Sequence, residues 1–477
     1  MSIGSILNNA RSGLLAAQRA VEVTSNNVAN AQTAGYTRQR VETAAQIPTR
    51  FADGEFGAGV RVIGTTRARD QFLDANFRRA SADASGGRLR TDGLGRLETI
   101  LGEPSDTGLG AALDTFYGAW SDLAARPTAG GVQGAVQQAG AQLALQFNRV
   151  AQQLDEFQVE TRQRLEAAVN EVNELATAIA DLNRQVVAQE SGGQSANTLR
   201  DERDQKLDRL VALTGASVVE QPNGATSVLL GGLSLVDSTE VRPIAAVTAN
   251  GVADVTRASD PTRPVIIGGE LGALRQLSVV DIPTMQADID TLARGVIDAV
   301  NAVHRQGVTW SGAPPTATAA GDFYAADPLL SAESDPLRTA RGMRLDSAVA
   351  ASASAIAASG ATATGPGDGS IALAIAGLRT SDIGFTNPDG SARVDEPAGT
   401  FLQRVATNVA FAVKSTSDRT EVDEAIMTQA DTRRQEVSGV SVDEELVRLI
   451  KFQQAYAAAA RLVNTADAMA QTLLDLR

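Results

Sequence analysis

The chain has 477 residues with no cysteine, one histidine (His304), and few aromatics: 12 Phe, 4 Tyr and 2 Trp. These counts exclude a disulfide framework, a cysteine-ligated zinc or iron–sulfur site, a thiolate nucleophile and any two-histidine metal site. The net charge of −14 is diffuse, Lys206, Lys414 and Lys451 are the only lysines, and the arginines are scattered, so no basic patch invites nucleic acid or anionic lipid.

The first twenty residues hold no continuous apolar run, which predicts no cleavable secretory signal. No stretch reaches the roughly 18 apolar residues of a membrane span, so no membrane insertion is expected. Ile3, Leu7, Ala10, Leu14, Ala17, Val21, Thr24, Val28 and Ala31 follow one another at alternating steps of four and three. That spacing predicts a helix with an a/d seam. Its other positions are polar and nearly uncharged, and Gly35 offers a stop. Tyr36 to Ile63 then alternates as strands do, punctuated by Gly54, Gly57 and Gly59. The glycine cluster lacks the lysine of a phosphate loop and reads as a turn.

Gln142 to Glu190 contains no Gly or Pro and predicts a helix of about 70 Å. Its apolar heptad frame runs from Leu143 to Val186 and breaks only at Arg164. After Gly192-Gly193 a second helix carries Leu199, Arg203, Lys206, Leu210 and Leu213 on one face. The charges of its other face (Arg200, Asp201, Glu202, Asp204) are expected to pair at i,i+4 on a solvated surface. Between Gly215 and Pro264 the period becomes two, with hairpins expected at Pro222-Asn-Gly and Asn250-Gly251. Pro283 to Gln306 is helical, with His304 at its end in a packing role rather than a catalytic one. Residues 311–398, rich in Ala, Ser, Gly and Pro, read as short strands and loops. Thr400 to Ser438 is a long helix with Leu402, Val405, Val409 and Ala412 in frame, then Val422 and Ile426.

Ser441-Val-Asp-Glu444 fits a capping box. From there Leu449, Phe452, Tyr456, Ala459, Val463, Ala466, Ala470 and Leu473 repeat the four-three spacing to the end of the chain. Each end thus bears an apolar stripe; spacing alone allows either that the two ends pair, the economical arrangement, or that each stripe lies on a globular core. The expected class is α+β, mainly α, with nested discontinuous domains. Residues 1–36 and 440–477 form a terminal coiled coil. Residues 37–215 and 281–439 form a helical shaft, a long-helix bundle with a β-hairpin and a small α/β segment. Residues 216–280 form a β-rich outer domain. No acid–base, nucleophile or ligand constellation stands out, so no catalytic residue, cofactor or metal is expected.

Ser25-Asn-Asn-Val-Ala-Asn-Ala-Gln-Thr-Ala-Gly-Tyr-Thr-Arg-Gln39 resembles the N-terminal motif of bacterial flagellar rod, hook and hook-associated proteins, matched at Asn26, Asn27, Ala29, Asn30, Thr33, Gly35 and Tyr36. Gly439 to Leu446 and Ile450 to Arg461 resemble the same family's C-terminal segment. Internally, Ala196 to Leu210, Gly268 to Leu274 and Asn301 to Tyr324 resemble its hook–filament junction members. The likeness is loosest over 216–267 and 330–398.

This resemblance implies a secreted, non-enzymatic axial protein of the extracellular flagellum. It would be exported through the flagellar type III machinery and would assemble at the distal end of the hook, as the joint to the filament. The implied partners are copies of itself, hook protein, a second hook–filament junction protein and a cytoplasmic export chaperone. Ile3, Leu7, Leu14, Val21, Val28, Leu449, Phe452, Tyr456, Val463 and Leu473 are the candidate assembly seam. Leu449, Phe452, Tyr456 and Val463 are also the candidate chaperone contacts. Two alternatives stay open at this point: a hook or filament subunit proper, or an adhesin or enzyme carried mid-chain on a helical stalk.

Overall fold

Long runs without helix breakers become long helices, and residues 71–101 form one despite Gly86, Gly87, Gly93 and Gly95. In order they are α1 (Ile3–Ala29), α2 (Gln71–Leu101), α3 (Leu109–Ala125), α4 (Gly130–Ser191), α5 (Asn197–Thr214), α6 (Gly269–Gln276), α7 (Ile282–His304), α8 (Ser370–Gly377), α9 (Ala398–Ser438) and α10 (Val442–Asp475). This computed structural model describes residues 3–51, 54–249, 252–311, 316–326, 339–386, 393 and 395–475.

A β-arm follows α1. Strand β1 (Gln39–Ala45) pairs antiparallel with β4 (Val60–Arg67), and β2 (Thr49–Phe51) pairs with β3 (Gly54–Phe56) at the tip. A bulge between Glu42 and Thr43 kinks the arm. The mid-chain holds two antiparallel sheets. One has the order β5 (Ser217–Glu220), β6 (Thr226–Leu230), β7 (Leu233–Asp237), β8 (Glu240–Val241). The other has the order β11 (Asp260–Pro264), β10 (Val252–Arg257), β9 (Ile244–Ala249). Gly224 takes a positive φ of 84° in the first hairpin turn. The expected Asn250-Gly251 turn lies outside the described residues, but the strands it joins pair with Val252 opposite Ala249.

Two hydrophobic cores follow one another along α4. The first gathers α2, α3, the N-terminal half of α4, α7, α8 and the start of α9 around Phe116, Trp120, Phe147 and Phe401. The second sets the sheets and α6 against the C-terminal half of α4 and against α5. The β-rich part therefore rests on helices of the neighbouring segment rather than on itself. The break at Arg164 has a structural cause. Buried positions run Thr161, Leu165, Val169, Val172, Ala176 and Ile179. Two successive steps of four shift the phase where the helix passes from the first core to the second. This helix also begins earlier than expected, at Gly130, carrying Gly131, Gly134 and Gly140. Gly140 is needed for room, because a Cβ there would meet the Phe323 ring at 2.8 Å.

α1 and α10 pack side by side. They are antiparallel, since Gly13 faces Ala459 and Asn27 faces Glu445. The pairing matches the expectation, and Ala10, Ala17 and Thr24 of the expected seam are buried, but its larger members on α1 are not. The buried residues are Ala10, Ala17, Ala20, Val23, Thr24 and Asn27, whereas Leu7 is exposed and Leu14, Val21 and Val28 are half-buried. The reason is size: interaxial distance follows the side chains at the contact, and this pair closes on Gly and Ala. On α9, Val422 and Ile426 do not continue the core stripe of Phe401, Leu402 and Val405. They are 58% and 50% exposed.

Candidate assembly surface

The turn after α1 is built from the motif residues. Asn27 is 1% exposed, and its carboxamide is fully used. Nδ2 donates to the Gln39 carbonyl at 2.9 Å and to Glu445 Oε2 at 2.8 Å. Oδ1 accepts from the Gln39 amide at 3.0 Å and from the Tyr36 hydroxyl at 2.9 Å. Asn30 Nδ2 donates to the Asn26 carbonyl and to Asn26 Oδ1, and Thr33 Oγ1 donates to Asn30 Oδ1. Burial, then the carboxylates of Asp201 and Glu445, push the Tyr36 phenol up to about 12, so it remains a donor at neutral pH. Gly35 has a φ of +77°, and a Cβ there would overlap the Gln205 side chain. It does not stop the helix, which ends at Ala29. It shapes the loop that docks on α5, where Gln205 Nε2 donates to the Ala34 carbonyl at 2.8 Å. These residues are architectural: they turn the chain from helix into arm and fasten it to α10.

The other side of this joint is held by Arg38, whose amide donates to the Ser438 carbonyl at 2.9 Å and whose guanidinium reaches Glu444 and the Val437 carbonyl. Glu444 therefore completes only half of the expected capping box. Its amide approaches Ser441 Oγ at 3.5 Å, while its carboxylate turns to Arg38 and Arg448.

Below the joint lies an ionic cluster that corrects the reading of α5. Asp201 and Asp204 are buried, not solvated, as is Arg203 of the other face; Glu202 stays exposed and pairs with Lys206 at i,i+4. Arg67 bonds Asp201 at 2.8 Å and Asp204 at 2.7 Å, Arg69 bonds Asp74 and Asp204, and Arg78 bonds Asp204 and Asp208. Arg434 of α9 closes the ring on Asp208 at 2.8 Å. The charges tie β4, α2, α5 and α9 together. Burial pushes the Asp204 carboxyl up, but Arg69, Arg67 and Arg78 more than offset this and hold it below its usual range. Composition concealed this role. The only hint was arginine spaced across Arg67, Arg69 and Arg78, which no local periodicity pairs with α5.

The uncovered surface of the terminal pair is apolar. On α10, Leu449, Phe452 and Val463 are half-buried and Tyr456 is 41% exposed; the Leu473 side chain lies outside the described set. On the far side, Leu446, Val447, Ile450, Leu462 and Met469 are exposed, as are Leu7 and Leu15 on α1. Ile3 is half-buried near the helix start. Among the described residues no helix is long and apolar enough to cross a membrane, and no group of three or more His, Cys, Asp or Glu is placed to hold a metal. His304 is fully buried beside Trp120 and Phe323. Its Nδ1 donates to the Gly321 carbonyl at 2.7 Å, while Nε2 accepts the Ala357 amide at 3.0 Å. It is a packing histidine with both nitrogens engaged.

Known proteins agree with this geometry. Residues 94–319 match the family described as the flagellar hook-associated protein FlgK helical domain, 432–476 the flagellar basal body rod FlgEFG protein C-terminal, and 7–37 the flagella basal body rod protein. The chain is 28% identical to flagellar hook-associated protein 1 of Bacillus subtilis, over 98% of this chain and 97% of the relative. It is 27% identical to that of Escherichia coli over the full length of both. It is 30% identical to that of Salmonella typhimurium, over 64% of this chain and 57% of the relative. The solved structure of the flagellar hook junction protein FlgK from Burkholderia pseudomallei shares the fold, with a TM-score of 0.64 at 16% identity, covering 77% of this chain and all of that one.

Proposed function

We infer that this chain, which belongs to the flagellar hook-associated protein 1 family, is a non-enzymatic structural subunit of the joint between flagellar hook and filament. The observation that supports the reading best is the terminal pair. It closes on small residues, Gly13, Ala17, Ala20 and Ala459, and leaves larger ones uncovered, Leu15, Val447, Ile450 and Leu462. Exposed apolar area of this kind marks an interaction surface. Contacts between unlike patches propagate as helical assemblies rather than closing. In this reading copies of the chain pack their α1–α10 pairs together on the hook tip.

The same helix serves export. Before assembly a cytoplasmic chaperone binds α10 through Leu449, Phe452, Tyr456 and Val463. Three of these are half-buried in the folded chain, so chaperone and α1 compete for one face. A terminal helix that orders only on association defers its ordering entropy to that moment, which suits passage through the type III channel to the outside.

Deletion of residues 1–36 or 440–477 tests the reading. Each truncated chain is expected to stay soluble and helical by circular dichroism but to be absent from isolated hooks. Cells lacking the gene are expected to keep hooks, lose motility and spill filament subunits into the medium. Truncated chains that still join the hook and support filaments would overturn it.

A further inference from the structure

A groove runs beside the terminal pair, between α1, the β-arm and α10, with a volume of about 560 Å³. Gly13, Ala16 and Ala20 form its floor, and Val41 and Phe452 stand on its walls. Its rim carries Arg40 and Lys451, both exposed and without an ion pair among the described residues. Glycine and alanine at steps of three and four leave a notch that a ridge of larger side chains from another helix can enter.

The same chain carries such a ridge elsewhere. On α9, Phe411, Val422 and Ile426 are 73%, 58% and 50% exposed. Eleven residues are about three turns of helix, so Phe411 and Val422 lie on one line, with Ile426 close beside it. Asp418 lies on that line and Glu421 flanks it, both exposed. Lys414 also flanks the line and pairs with Asp418, and Arg419 pairs with Asp423, so the stretch carries Asp418, Glu421, Asp423 and Glu424 against Lys414 and Arg419 and is negative on balance. Thr420, on the opposite side, is the buried residue of this half of the helix. Apolar residues in a stretch of net negative charge thus face solvent on α9, while a small-residue notch edged by cations opens beside α1.

We propose that the Phe411–Ile426 ridge of one copy seats in the groove between α1, the β-arm and α10 of a second copy. The ridge carries the charge the rim lacks, and every copy owns both halves. A subunit can therefore give its ridge to one neighbour and receive a ridge from another. The contact joins unlike patches, so it propagates instead of closing into a pair. The inference rests on the axial reading above and names one of its subunit contacts.

The chain has no cysteine, which makes the test direct. Ile426→Cys is combined with Ala455→Cys or Thr43→Cys on the groove walls, in the full chain expressed in cells that lack the native gene. Isolated hooks are oxidised mildly and separated without reductant. The expected result is a ladder of cross-linked dimers and higher multimers from at least one pair, and none from Phe411→Cys with Ile426→Cys, where both cysteines sit on the ridge. Reversing the rim with Arg40→Glu and Lys451→Glu is expected to lower the yield several-fold, and adding Asp418→Lys and Glu421→Lys to restore it. If Ile426→Cys prevents incorporation, Val422→Cys replaces it. Cysteine variants that incorporate yet stay monomeric overturn the contact and leave the axial reading standing. A native chain absent from hooks overturns that reading instead.

Discussion

Asn27 Nδ2 donates to Glu445 Oε2 at 2.8 Å across 418 residues of sequence, and both side chains are 1% exposed. One buried polar contact therefore fixes the register of the two terminal helices. A buried polar pair favours one alignment, because any slip takes the Asn27 donor from Glu445 and leaves its carboxylate only Arg448 of its own helix.

Asn27→Ala is expected to loosen the terminal pair without unfolding the rest. It removes the partners of the Gln39 amide, the Gln39 carbonyl, the Tyr36 hydroxyl and one oxygen of Glu445. At about 1 kcal/mol for each of the three neutral bonds and about 1.5–3 kcal/mol for the one to the carboxylate, the local cost is about 4–6 kcal/mol. Hydrogen exchange should quicken in α1 and α10 while α3 and α7 keep their protection. Unchanged exchange in α1 would contradict the assignment.

Asp204→Asn is expected to be among the costliest single changes in the shaft. It leaves Arg67, Arg69 and Arg78 facing one another with their shared carboxylate gone, at sites where the side chains are 10–15% exposed. Breaking such a buried set costs about 3–5 kcal/mol. Glu424→Gln, in the exposed Arg88–Glu424 pair, should cost under about 1 kcal/mol. Urea unfolding of both variants compares the two. Because Asp204 is held below its usual range, its contribution is complete above about pH 4 and is lost as pH falls through the lowered value.

His304 gives the chain a second response to acid. Burial lowers its pKa below the ordinary 6.5, and an imidazolium could no longer accept the Ala357 amide at Nε2. The unfolded chain therefore takes up a proton more readily than the folded one. Stability is complete above about pH 6.5 and declines as pH falls, by at most about 1.4 kcal/mol per pH unit from this group. His304→Gln keeps a donor and an acceptor but does not titrate. The difference in urea stability between the two chains should be flat above pH 7 and shrink or reverse below pH 6. A constant difference from pH 8 to pH 5 would exclude this role.

Periodicity located most long helices and the pairing of the chain's ends, because each has an apolar face of a definite spacing. It misplaced what depends on the identity of the partner surface. Of the expected α1 seam, Ala10, Ala17 and Thr24 are buried, but Leu7, Leu14 and Val21, seven residues apart along its other edge, are not; the pair closes toward the small residues, with Gly13 and Ala20 added, since small residues permit closer approach. Heptad spacing alone does not say which of two neighbouring stripes meets α10 and which stays open. The charges on α5 looked solvated because their partners, Arg67, Arg69, Arg78 and Arg434, come from distant segments. The motif residues Asn26 to Tyr36 stood out by resemblance, and only the folded turn explains why asparagine is required at 27.

The crossing of α2 and α9 supplies a test of close packing. At Gly87 an added Cβ would lie 2.6 Å from Thr420 Oγ1 and 3.4 Å from Thr420 Cβ. Thr420 Oγ1 also donates to the Thr416 carbonyl and lies 3.3 Å from Thr91 Oγ1, so rotating it away sacrifices a bond. In an open helix Gly→Ala gains about 1 kcal/mol. Here Gly87→Ala is expected to lower stability instead, by about 1–3 kcal/mol, the usual range for overpacking. Thr420→Ala deletes the obstructing oxygen and leaves 3.4 Å, which a Cβ tolerates with little adjustment. The double variant Gly87→Ala with Thr420→Ala should thus be more stable than the sum of the single changes requires. A coupling of about 1 kcal/mol or more in a double-mutant cycle is the expected reading. Additive effects would mean that α2 and α9 are not held in contact at this crossing, and the ionic cluster through Arg78, Asp208 and Arg434 would then be their main tie.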